Sequence, residues 1–372
     1  MFFSLIFIFY VVLNLYVYIR IRTILWSKEQ RIVFTLVFSL LVAAFLVAET
    51  LSHATDSPSV DLILTLGYLS LPFLLYLFLF VLLLDILKLI NKVLRIVSVE
   101  SLQSHRFRII TLCVLIAVPA LIVTGGRYWF SDIKINNYHV EISRKASPLR
   151  HLKIAVASDF HLKKMTDGRF LPRFAAMVNQ LDADILLIPG DVLEGDRQDG
   201  QLSSFEFAFR QIRTRYGVYA SLGNHEFYGR RGRLGFFSQS NITVLQDSVA
   251  VIDRAFTLVG RHDNHFAQRK PIAELIKSAP DSLPVIVLDH RPVDLESISA
   301  ANADIVVSGH THHGQLFPFN LITNRIYEVS WGYAKKKNTH VFVTSGIQVW
   351  GPPVRTAGDS EIIVIDVDLV DS

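Results

Sequence analysis

Cysteine is nearly missing from this chain: Cys113 is the only one in 372 residues. A disulfide framework and a thiolate metal site are thereby excluded, and Cys113, inside an apolar run, is expected to pack. Charge is scarce in the same region. The long apolar runs of the first third hold no ionisable residue at mid-span, and Glu49 and Asp85 fall near run ends, within reach of the interface. Transporters and proton relays place such groups at depth, which disfavours that class. There is no internal repeat or low-complexity segment. The later part of the chain also lacks a basic excess. Through Arg150 there are 14 Lys+Arg against 8 Asp+Glu, net +6, and beyond it 23 against 25, net −2. A nucleic-acid footprint needs its basic residues on the folded domain, so no nucleic-acid partner is expected.

What is abundant is hydrophobic side chain, 51% of the total. Four apolar runs concentrate it: 2–19, 32–48, 62–84 and 109–124. Each approaches the roughly 20 residues that cross a bilayer as a helix, the last with little to spare. The first has no basic leader and no Ala-x-Ala-like site, so it is expected to be an anchor rather than a cleaved signal. The expected organisation is a membrane region of four transmembrane helices over 1–126, a linker over 127–150, and a folded domain over 151–372. Orientation follows from the connections. The first carries Arg20, Arg22, Lys28 and Arg31, and the third Lys88, Lys92, Arg95, Arg106 and Arg108. The second carries Glu49, Asp56 and Asp61 and no Lys or Arg. The positive-inside tendency then makes the first and third connections cytoplasmic and the domain extracytoplasmic, provided the fourth run spans.

From Leu152 onward short apolar strands alternate with helical patterns, the texture of α/β layers. Several strands run out into metal-type ligands. Residues 152–157 lead to Ser158-Asp159-Phe160-His161; 185–189 lead to Gly190-Asp191; 217–222 lead to Gly223-Asn224-His225-Glu226; 285–288 lead to Asp289-His290; 303–307 lead to Ser308-Gly309-His310-Thr311-His312-His313-Gly314-Gln315. If the backbone stays extended past Gly309, side chains two apart share a side and His310 and His312 converge on one point. Asp159 and His161 repeat that spacing. Asn224 offers a neutral oxygen, and His225 can give a proton to a leaving group.

Other features call for less. Phe170, Phe174, Val178 and Leu181 form a core stripe on a helix. Glu194, Asp196 and Asp199 read as solvated surface, and Lys335, Lys336 and Lys337 as a hairpin tip. Arg230, Arg231 and Arg233, set among Phe227, Tyr228, Phe236 and Phe237, fit either a rim for an anionic amphiphile or a basic loop over a core edge. Strands at 341–346 and 361–366 are expected in a second sheet.

The ordered set Asp-x-His, Gly-Asp, Gly-Asn-His-Glu, His, Gly-His-x-His resembles the calcineurin-like metallophosphoesterase family over residues 152 to about 365. Gly309 to Gln315 and Trp350-Gly351-Pro352-Pro353-Val354-Arg355 resemble its membrane-associated bacterial branch, although His313 stands where that branch often has glycine. The resemblance implies a two-sheet αββα sandwich and two divalent ions bridged by Asp191. One ion is then held by Asp159, His161 and His312, the other by Asn224, His290 and His310. Mixed imidazole and oxygen donors suit Mn, Fe or Zn. The implied reaction is hydrolysis of a phosphoester or pyrophosphate by a metal-bridged hydroxide, with His225 protonating the departing oxygen and Glu226 orienting it. Membrane tethering favours a lipid-linked or envelope phosphate as substrate. The alternative is a catalytically weak domain that binds a phosphorylated ligand and signals through the helices.

Overall fold

The computed structural model describes residues 2–51, 58–163, 166–194, 201–227 and 234–371. Asp196, Asp199, Tyr228, Arg230, Arg231 and Arg233 lie outside them. The chain divides into two compact units, Met1–Tyr128 with Gly351–Val354, and Trp129–Trp350 with Arg355–Ser372.

In the first unit, α1 (Phe2–Ile24), α2 (Lys28–Leu51), α3 (Pro58–Leu94), the short α4 (Val99–Gln103) and α5 (His105–Ser131) follow one another. Four of them are long and apolar enough to cross a membrane. Apolar side chains on every side make helices of this kind stable only where lipid or protein surrounds them, with each backbone polar group satisfied internally. Val17, Ile21, Phe38, Leu74, Leu77, Val81 and Leu115 face inward, while Leu40, Leu66 and Leu121 are exposed. The fourth run is longer than its apolar stretch: with polar flanks included, α5 has 27 residues, about 40 Å at 1.5 Å per residue. That exceeds the ~30 Å hydrocarbon core. Cys113 is exposed on α5 instead of packed, because it lies on the helix face turned away from the other helices. Asp85 near the end of its run is met by Arg20 at 2.5 Å and accepts from the Tyr16 hydroxyl at 2.6 Å.

The second unit is built on two six-stranded mixed sheets. One has the order β1 (Ile133–Ser143), β12 (Ser360–Val370), β2 (His151–Val156), β3 (Ile185–Pro189), β4 (Val218–Ser221), β5 (Ile242–Val244). The other runs β10 (Gly332–Lys336), β11 (Thr339–Val343), β9 (Ile305–Ser308), β8 (Val285–Leu288), β7 (Phe256–Gly260), β6 (Ser248–Ile252). Alternation along the strands separates the cores. Ile154, Ile185, Leu187, Ile286, Leu288, Ile305 and Val307 point between the sheets. Leu186, Ile188, Val218 and Ala220 point out to α6 (Phe170–Leu181) and α7 (Gln201–Arg210), where Phe174, Val178, Phe205 and Phe209 cover them. On the far side Val285, Val287 and Val306 meet Ile272, Leu275, Leu295 and Ile298 of two short helices. Strands buried on both faces read as continuous apolar runs, which is why these stand out in the sequence. The result is the αββα sandwich.

Two boundaries differ from expectation. Most of the supposed linker over 127–150 is structured, since α5 reaches Ser131 and β1 pairs in parallel with β12 from Ile133↔Ser360 to Ser143↔Val370. Its apolar positions change phase at Asn136-Asn137, which hides the period-2 signal of an edge strand. Strand β12 belongs to the first sheet, antiparallel to β2, and only β11 joins the second. The Lys335–Lys337 region does form a hairpin tip, with Lys336 and Lys337 paired to Glu296 and Glu328.

Arg355 is wholly buried and donates to the carbonyls of Ser345, Gly346 and Gln348 at 3.0, 3.2 and 2.8 Å. Burial lowers its pKa to about 10, which leaves it charged at neutral pH. Arg355→Met orphans those carbonyls at about 1–3 kcal/mol each. Thermal unfolding of the purified chain is expected to show a loss of at least about 3 kcal/mol in the domain transition.

Candidate metal centre

The site forms where the carboxyl ends of parallel strands from both sheets meet, as in other open α/β sheets. Past β2 and β3 the two loops continue to pair. Asp159 N–H donates to Gly190 O at 3.1 Å, His161 N–H to Asp191 O at 3.1 Å and Leu162 N–H to Val192 O at 2.9 Å. This extension puts Asp159 and His161 beside Asp191 and Glu194. Gly190, at φ +86°, lets the chain turn sharply enough to present Asp191.

The loops are strained rather than extended. Asp159, His161, Asp191, His310 and His312 have φ of 58°, 42°, 54°, 69° and 46°. Each such residue costs about 1–3 kcal/mol and persists only where its surroundings hold it. The extended geometry expected past Gly309 is therefore absent, and His310 and His312 do not converge. The left-handed turn sends their rings to two different groups. His312 Nε2 lies 3.1 Å from His161 Nε2 and 3.4 Å from Asp159 Oδ1. His310 Nδ1 lies 3.2 Å from His290 Nε2.

Three overlapping donor clusters result among the described residues, Asp159/His161/His312, Asp191/His290/His310 and, joining them, His161/Asp191/His225, each with its ligand atoms within 4.8 Å of one another. Asp191 Oδ2 stands between the first two, 3.1 Å from His290 Nε2 and 3.9 Å from His161 Nε2. Asn224, at the start of the one-turn helix Asn224–Phe227, brings Oδ1 to 3.2 Å from His290 Nε2. Ligands at ~2.1 Å from a common ion sit about 3.0–3.4 Å apart; His161–His312, Asp159–His312, His290–Asp191 and His290–His310 fall in that range, and His161 Nε2 is 3.8 Å from Asp159 Oδ1. The tautomers fit as well. His290 Nδ1 is 2.8 Å from Pro189 O and His161 Nδ1 is 2.6 Å from Glu194 Oε2, which turns both Nε2 atoms inward as donors.

Charge in this buried space is balanced locally. Burial alone disfavours ionised Asp159 and Asp191, yet the adjacent imidazoles hold both below the usual carboxylate range. Against burial, the carboxylates around His161 and His290, Glu194 included for His161, raise both to about 10 in the absence of an ion, so a cation binding there has to displace the Nε2 proton of each. Burial lowers His310 and His312 to about 3, leaving them neutral at pH 7.

His225 lies against this cluster, its ring 4.7 Å from that of His161 and nearly perpendicular to it. The carboxylate at its Nδ1 is Glu194 Oε1, 3.0 Å away. Glu194 thus spans His161 and His225, although as a loop acid three residues after Asp191 it read as surface. Its only sequence signal was that spacing; the pairing of Leu162 with Leu193 gives it its place. Glu226 has a different position from the one expected. Its buried carboxylate accepts the N–H groups of Asp191, Val192, Leu193 and Gly223 at 2.6–3.1 Å, anchoring the Asp191 loop. His313 Nδ1 is 3.1 Å from Ser330 Oγ, and its ring packs on Trp331.

Gly309 passes so close to Asp159 that a Cβ there would overlap Asp159 Oδ2 and Ser158 Oγ. Gly309→Ala is expected to displace the Asp159 carboxylate. Elemental analysis of the purified variant should show at least one ion lost per chain against wild type, with the far-UV circular dichroism unchanged.

The calcineurin-like phosphoesterase family model matches residues 152–314. An uncharacterised metallophosphoesterase of Helicobacter pylori strain 26695 is 31% identical over 221 residues, 57% of this chain and 59% of that protein. A Danio rerio transmembrane protein with metallophosphoesterase domain is 29% identical over 280 residues, 71% of this chain and 63% of that protein. The match thus spans less than two thirds of these relatives' length. Two mixed sheets in a sandwich, Asp/His clusters at their strand ends and the family match agree: the chain carries a calcineurin-like metallophosphoesterase domain and, among the described residues, four helices long and apolar enough to cross a membrane.

Proposed function

We propose that the protein is a membrane-anchored hydrolase of phosphoester or pyrophosphate bonds, with its domain on the extracytoplasmic side and a lipid-linked or envelope phosphate as substrate. The observation that carries the reading is the placement of Asp191 between two imidazole-rich donor clusters. Asp159, His161 and His312 would hold one divalent ion, and Asn224, His290 and His310 the other, with Asp191 common to both. Manganese, iron or zinc in such a pair supplies an activated water and neutralises charge on the phosphoryl oxygens.

The chain's own groups do the rest. Glu194 fixes Nδ1 of His225, which makes Nε2 the nitrogen that exchanges a proton with the substrate. The same carboxylate orients His161, so one side chain aligns a ligand and the proton donor together. Glu226 and the left-handed loop residues hold these positions before substrate arrives, which lowers the cost of reaching the transition state.

Metal analysis and hydrolysis of an aryl phosphate by the purified full chain, with Mn, Zn, Ni and Co each supplied, test the reading. Asp191→Asn is expected to lose metal and turnover together. His225→Ala is expected to keep its metals and slow turnover by roughly 10²–10⁴. A fully active Asp191→Asn enzyme rules out the shared carboxylate, and a metal-replete wild type inert with every ion favours a phosphate-binding domain.

The side of the membrane rests on the basic first and third connections and on the length of α5. Alkaline phosphatase fused after Ser372 is expected to be active, and a cytoplasm-only reporter at the same point inactive.

A further inference from the structure

Outside one segment, the domain's exposed large apolar side chains among the described residues, Trp129, Ile135, Phe207, Leu234, Val251, Tyr333, Trp350 and Val370, are spread along the sequence. In that segment, within ten residues, Phe317, Phe319, Leu321, Ile322 and Ile326 are 50, 39, 58, 54 and 66% exposed. The last four belong to the helix Phe319–Ile326, which has no buried residue. Phe319, Ile322 and Ile326 follow the i, i+3, i+7 spacing of one helical face, and Asn320, Thr323, Asn324 and Arg325 supply the polar remainder. A soluble domain does not gather so much apolar surface without a partner for it.

The segment is also bolted to the metal loop. At Gly314, φ +74°, an added Cβ would meet Phe319 and Asn320 backbone. Beyond the helix, the Tyr327 ring lies 6.2 Å from that of His310, and Ser330 joins Asn324 to His313. Whatever phase receives the helix therefore lies close to the His310–Gly314 loop.

We infer that the Phe317–Ile326 segment docks on the bilayer surface, its apolar stripe entering the headgroup and acyl boundary. The occupant is lipid for two reasons on the chain itself. Only Asp132 separates α5 from β1, so a bilayer is the apolar phase held at high local concentration. The helix also has the makeup of an interfacial one: Phe319, Ile322 and Ile326 form a narrow apolar stripe bordered by Thr323; Asn320 and Asn324 lie opposite with Leu321; and Arg325 stands in the last turn to meet phosphate headgroups. The inference stands whether or not the site is catalytic, since it concerns the surface alone.

Its test uses the full chain in phosphatidylcholine nanodiscs containing acyl-chain spin-labelled lipid. A fluorophore is attached through Ile322→Cys, or through Val251→Cys on β6 at the opposite edge of the second sheet, each in a Cys113→Ser background. Quenching at position 322 several-fold stronger than at 251 is expected. Equal or absent quenching at 322 overturns the inference. So does disulfide cross-linking between copies at 322, which makes the face a dimer contact. Ile326→Cys repeats the reading from the same stripe if Ile322→Cys does not accumulate.

Discussion

A carboxylate 1% exposed, as Asp191 is, survives in a protein interior only if opposite charge and hydrogen-bond donors surround it. Asp191 has both. His290 stands at 3.1 Å on one side and His161 at 3.9 Å on the other, and its Oδ1 accepts the His225 N–H at 2.9 Å. Each neighbour comes from a different strand end, so the stability of this one charge and the closure of the two sheets at that edge are the same requirement. A site of this kind cannot be assembled piecemeal.

The cost of that assembly is spread over groups that never touch substrate. Five of the clustered Asp and His residues sit in the left-handed region, and what holds them is buried polar bonding: Glu226 gripping four N–H groups around Asp191, His310 N–H donating to both oxygens of Asp159, and Arg355 tying down the 345–348 loop. Buried bonds of this kind are stronger than exposed ones because the local dielectric is low, and the network is not complete: Arg355 Nε and His312 Nδ1 are buried without a hydrogen-bond partner among the described residues.

The membrane helices bear on this chemistry through location. Their charged groups are few and locally neutralised, as with Asp85 between Arg20 and Tyr16, which fits an anchor better than a conduit. A domain tethered to a bilayer meets membrane-bound molecules at a raised local concentration, which is a physical consequence of linkage alone.

Much of this was legible in the residues themselves. Strands buried on both faces betray themselves as unbroken apolar runs, and ligand-type residues at five strand ends name a metal site because little else needs that set of side chains together. Strand β1 carries no clear strand signal because its alternation changes phase midway, and the sheet that β12 joins is not legible in its residues because pairing partners leave no mark on a strand's own composition. The roles around His225 were likewise set by folding. Glu226 is next to it in sequence but turns to the backbone, whereas Glu194, thirty-one residues away, reaches its ring. Local pattern records which surfaces a segment must bury and which chemistry it carries. Which side chains then face one another is decided by loop conformation and strand register, which are properties of the packed whole.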